Sequence, residues 1–163
     1  MSLPDLAAVL WRQRDLLERL VYRLECEHLL LAAGRTRFLP LATAEVEELL
    51  GELRVLELQR AAAADRVAAE AGLDAGSGLE RLASAVQPPW TGVLLEHREG
   101  LLVLVGELAA LAETNRSLMA AGMKAVESAI AGMGAGTSSV GYDAKGRSDL
   151  ISGAGPLVVD RSL

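Results

Sequence analysis

The chain has 163 residues, 51% of them hydrophobic but only 3% aromatic, and a formal net charge of −6. That length suffices for one domain with a core, and the acidic balance, with no Lys/Arg cluster against it, excludes a general attraction to nucleic acid or anionic lipid. A single cysteine, Cys26, excludes an internal disulfide and fits a reducing compartment. The apolar content is mostly Leu, Ala and Val, which together with Glu and Arg favours long helices over a sheet. The opening MSLPDLAAVLWRQRD lacks a basic start and meets charge early, so it does not read as a signal peptide. The most apolar run, LLVLVGELAALA, is broken by Glu107 and is too short to span a bilayer.

A first helix is expected after Ser2 as N-cap, with Pro4 in its first turn and Asp5 near the positive end of the helix dipole. Leu6, Val9, Leu10, Leu17, Leu20, Leu24 and Leu31 recur at helical spacing, and Gly34 is a natural stop. GRTRFLPLA reads as a connector in which Pro40 blocks a continuous helix. Thr43 is the expected cap of a second helix, with Glu45, Glu47 and Glu48 in its acidic first turn. Its stripe is Val46, Leu49, Leu50, Leu53, Leu56, Ala63 and Val67, and it ends at Gly72. GLDAGSG is a loop. Ser77 and Glu80 have the capping-box spacing for a short helix through about Val86, after which QPPW forces a turn.

The third long helix is the longest, from about Thr91 to about Met133, roughly 60 Å at ~1.5 Å per residue. Gly100, Gly106 and Gly122 weaken it locally, each by up to ~1 kcal/mol relative to Ala. The expected fold is all-α: an elongated antiparallel bundle of three long helices plus a short one over residues 1–133, with a mobile tail over 134–163. The third helix is longer than its partners can cover. Its later part keeps an apolar stripe of Leu118, Met119, Met123, Val126, Ile130 and Met133, with Asn115 on the same face one turn earlier. A lone polar residue on such a face often sets register or orientation. The stripe reads either as bundle core or as a groove for a partner helix, to which flexible Met side chains adapt. An uncovered end raises the second reading, because something must cover that face or it stays exposed.

No constellation points to catalysis, and the chain is not read as an enzyme. Glu25 and His28 have the i, i+3 spacing of carboxylate-bridged di-metal bundles, but such a site needs a second pair, and His97 has Leu94 three residues before it. No metal and no cofactor are expected. Cys26 and His28 are two apart on a helix and do not face each other, so Cys26 reads as a small core side chain. GMGAGTSS is Gly-rich but lacks the GK[ST] ending of a phosphate loop and follows a helix rather than a strand.

The long helical body, the segment ETNRSLMAAGMKAVESAI closing the last helix, and GYDAKGR in the tail together resemble the FlgN family of flagellar export chaperones. The family's last helix typically carries an Asn with a Leu three residues later, matched by Asn115 and Leu118. Its tail often carries Tyr-x-Ala-x-Gly, matched by Tyr142, Ala144 and Gly146. The resemblance implies a cytoplasmic chaperone, without cofactor, that holds the C-terminal helices of hook–filament junction proteins and then docks on the cytoplasmic part of the type III export gate. Asn115, Leu118, Met119, Met123, Val126 and Ile130 become the expected substrate-helix face. Tyr142, Asp143, Ala144, Lys145, Gly146 and Arg147 become the expected gate-docking segment, since an aromatic in a tail with no core of its own suits a partner's pocket. A homodimer is compatible with this. The alternative is a structural coiled coil that self-associates through the same stripe.

Overall fold

The structure is a computed structural model that describes residues 2–135 together with the pairs 141–142 and 148–149. It forms two compact units, residues 1–119 and 120–163, and the boundary falls inside the longest helix.

Helix α1 spans Leu3–Ala32. It buries Leu6, Val9, Leu10, Leu16, Leu17, Leu20 and Leu24, so the expected stripe is its inner face as far as Leu24, while Leu31 is only half-buried. Gly34 ends it as predicted: at φ 65° it adopts the left-handed conformation, its N–H donates to the Leu31 carbonyl at 3.1 Å, and Arg35 N–H reaches the Leu30 carbonyl at 2.8 Å. This is the pair of bonds that closes a Schellman terminus. A 3₁₀ turn at Thr36–Phe38 leads into α2, Leu39–Glu70. The same terminus recurs at Gly72 (φ 71°), with Gly72 N–H to Ala69 at 3.3 Å and Leu73 N–H to Ala68 at 2.8 Å. Helix α3 is the short Leu79–Ala85, and α4 runs from Trp90 to Ala135.

Two capping expectations are corrected and a third holds in position only, since Ser2 is the N-cap residue of α1. Ser2 makes no side-chain cap bond; its backbone is helical and its hydroxyl donates to Glu70 Oε1 at 2.5 Å. Thr43 is not a cap, because α2 begins four residues earlier with Pro40 in its first turn, a position where proline's missing N–H costs nothing. The Thr43 hydroxyl instead donates to Glu27 of α1 at 2.8 Å. Ser77 donates to the Asp74 carbonyl inside its loop, Gly78 precedes α3, and Glu80 pairs with Arg98 of α4 at 3.0 Å. In each case a tertiary partner or a neighbouring turn offered the side chain a better bond than the cap.

Within the first unit, contacts between Ser2 and Glu70 at one end and Arg23 and Glu45 at the other make α1 and α2 antiparallel. Trp11 meets His97 and His28 meets Asn115, so α4 runs parallel to α1. The core draws on all four helices, with Leu6, Leu10, Leu82 and Leu94 fully enclosed. Each such side chain stabilises the fold by ~1.5–3 kcal/mol relative to exposure. The tail expectation falls mostly outside the described residues. Within them, β1 (Gly141–Tyr142) pairs antiparallel with β2 (Ser148–Asp149), Tyr142 opposite Ser148.

Candidate functional site

Helix α4 changes character along its length. Up to Met119 it contributes to the core: Leu94, His97 and Asn115 are buried, and Leu101, Leu108, Leu111 and Ala112 pack against it half-buried. Leu118 and Met119 are half-buried. From Ala120 to Met133 every residue is exposed. Met123, Val126, Ile130 and Met133 stand 59% to 73% exposed, although they continue the same helical spacing as the buried residues. The stripe expected from sequence is therefore apolar and uncovered from Met123 onward. Lys124 and Glu127 lie beside it and keep the segment mixed in charge. Such a run of apolar knobs is what an amphipathic helix can pack against.

Asn115 stands apart from the stripe it was grouped with. It is 1% exposed and works inside the bundle. Its Nδ2 donates to the Leu24 carbonyl at 2.9 Å and to Glu27 Oε2 at 3.2 Å. Both of those partners can only accept, which fixes the amide's orientation and leaves Oδ1 to accept from His28 Nδ1–H at 3.1 Å. Glu27, itself buried, also accepts from Thr43. Thr43, Glu27, Asn115 and His28 thus form one network across α2, α1 and α4. Burying a carboxylate is costly unless its oxygens are satisfied, and here each oxygen has a donor. The network holds α4 to α1 and α2 within the first unit, at the last buried position of α4.

Glu25 is exposed, Cys26 half-buried and free, and His28 is engaged by Asn115. No group of three or more His, Cys, Asp or Glu side chains among the described residues could hold a metal ion. Tyr142 belongs to β1, while Asp143, Ala144, Lys145, Gly146 and Arg147 lie outside the described residues.

Sequence reading missed the seam where α1 meets the start of α4. Trp11 and His97 stack edge to face, and Arg14 lies over Trp11 and against Gly100. The i, i+3 pair Trp11 and Arg14 was the available signal. An open groove of about 740 Å³ between α1 and α2 is lined by Trp11, Leu16, Val55 and Leu56, and Arg19 and Glu52 approach to 3.8 Å across it.

No curated protein and no solved structure gives a significant match to the chain. The family model described as FlgN protein matches residues 1–149, which takes in the bundle, the exposed end of α4 and the Tyr142 segment. The chain therefore belongs to the FlgN family of flagellar export chaperones.

Proposed function

We propose that this chaperone binds the C-terminal helices of hook–filament junction proteins along the exposed end of α4, keeps those subunits unassembled in the cytoplasm, and delivers them to the export gate. The observation that carries the reading is the fully exposed apolar run of α4, in a chain of a flagellar export chaperone family. Leu118, Met119, Met123, Val126 and Ile130 supply the contact surface. Asn115 acts by holding α4 in register rather than by touching the client. A client helix laid on this stripe loses its freedom on binding, an ordering cost of ~2–5 kcal/mol that keeps the complex reversible. Tyr142 with Asp143, Ala144, Lys145, Gly146 and Arg147 forms the segment that docks on the gate, the aromatic ring as anchor and the charges as rim. A cytoplasmic location agrees with the finding that no described helix is long and apolar enough to cross a membrane. The role needs no catalytic group, cofactor or metal.

The test is calorimetric titration of the full chain with the C-terminal helical segments of the junction proteins from the source organism. Saturable one-to-one binding supports the reading. Absence of binding, together with concentration-dependent self-association in light scattering, would favour a coiled-coil assembly instead.

A further inference from the structure

His97 plays no part in the client-binding reading, yet it is more deeply enclosed than most of the core. It is 2% exposed, its ring meets Trp11 of α1 edge-on with centroids 4.8 Å apart and planes at 84°, and its Nδ1 has no hydrogen-bond partner among the described residues. One turn further along both helices, Arg14 of α1 lies flat against α4 at Gly100. A Cβ at position 100 would stand 2.9 Å from the guanidinium carbon, so glycine is what gives the group its seat. The guanidinium also lies 5.0 Å from the centre of the Trp11 ring. Its Nε and Nη1 are buried without a partner, and Arg14 makes no ion pair among the described residues. The Trp11 ring faces that charge, a cation–π contact of modest strength.

A neutral imidazole tolerates this company. A protonated one would place a second cation beside Arg14 in a largely buried seam, where a charge is costly to hold. The charged groups that act on the ring are Arg14 from α1 and, more weakly and in the opposite sense, Glu96 from α4 itself. Glu80 of α3 is engaged with Arg98. We propose that Trp11, Arg14, His97 and Gly100 form a proton-sensitive clasp, which holds the first half of α4 to α1 while His97 is neutral and loosens when His97 takes up a proton. Burial first, and Arg14 second, push the His97 pKa below its ordinary 6.5. Between that lowered value and 6.5 the unfolded chain holds more protons than the folded one. The stability from the neutral ring is therefore complete above about pH 6.5 and declines as the pH falls below it. The Asn115 network, with His28, lies at the other end of the α1–α4 contact, apart from this seam.

The experiment uses the full chain. Urea midpoints are measured at about pH 7.5 and about pH 5.5, and the ring signals of His97 are titrated by NMR. The midpoint is expected to fall on acidification, the His97 ring to titrate below 6.5, His97→Gln to abolish most of the fall, and His28→Gln to retain it. Arg14→Gln is expected to raise the His97 titration midpoint, a change that a merely structural arginine would not produce. A fall of equal size in His97→Gln, or a His97 ring titrating at or above 6.5, would overturn the proposal. Should His97→Gln not fold, the ring titration in the native chain and its response to Arg14→Gln decide alone.

Discussion

Asn115 of α4 donates its side-chain amide to the main-chain carbonyl of Leu24 on α1 at 2.9 Å, in a site where Asn115 is 1% exposed. A carbonyl inside a helix already accepts one bond from its own helix. The Asn115 amide takes the second lone pair and ties the two parallel helices at one defined height. Glu27 beside it depends on the same amide for one of its oxygens. Asn115→Ala removes three bonds and leaves a buried carboxylate half-satisfied, so it is expected to destabilise the chain by about 2–4 kcal/mol. Urea denaturation measures this directly. A loss below ~0.5 kcal/mol, the range of ordinary surface changes, would show that the network does not hold α4.

Val126 should behave in the opposite way. It is 59% exposed, so Val126→Asp is expected to leave the urea midpoint close to that of the native chain. Client-helix binding should weaken by more than ~2 kcal/mol, because the new carboxylate would be unpaired in a desolvated contact. Paired denaturation and calorimetry on the same variant separate the two effects. Outright unfolding would mean that the stripe is core.

Tyr142→Ala is expected to spare both the fold and client binding while impairing gate docking and the export of junction subunits. Losing a buried aromatic anchor costs about 2–4 kcal/mol. Both bindings are measured on one variant, and loss of client binding with gate docking intact would mean that the two surfaces are exchanged.

Glu70 offers a check on the antiparallel α1–α2 contact. Its carboxylate accepts from the Ser2 hydroxyl and backbone N–H, and the Ser2 hydroxyl first, then the N-terminal amino group and the Ser2 N–H, lower its pKa from 4.5 to about 2. The folded chain therefore binds fewer protons than the unfolded one between those values. The contribution is fully present above pH 4.5 and is lost as the pH falls toward 2. Glu70→Gln should flatten the acid limb of a stability–pH curve in that window while leaving other carboxylates' contributions in place. An unchanged limb would show that the contact does not persist in solution.

The amino-acid sequence by itself determined the helices, their order and their two glycine stops, because these depend on local chemistry. Apolar spacing selects a helix over a strand, and a left-handed residue after a helix selects glycine at Gly34 and Gly72. It also carried the resemblance to the FlgN family, whose model matches residues 1–149. What the sequence left open is which side chains spend their polar groups across the bundle. Thr43 and Ser2 have the chemistry of caps, and only the approach of Glu27 and Glu70 redirected them. Asn115 and Val126 lie on one helical stripe, yet one is buried and the other exposed, because burial depends on whether a neighbouring helix is present at that height. The spacing of apolar residues is the same in both places. The Arg14–Gly100 seat is the plainest case: neither residue is informative alone, and the contact exists because the two helices approach there closely enough for the guanidinium to lie against a position without a Cβ.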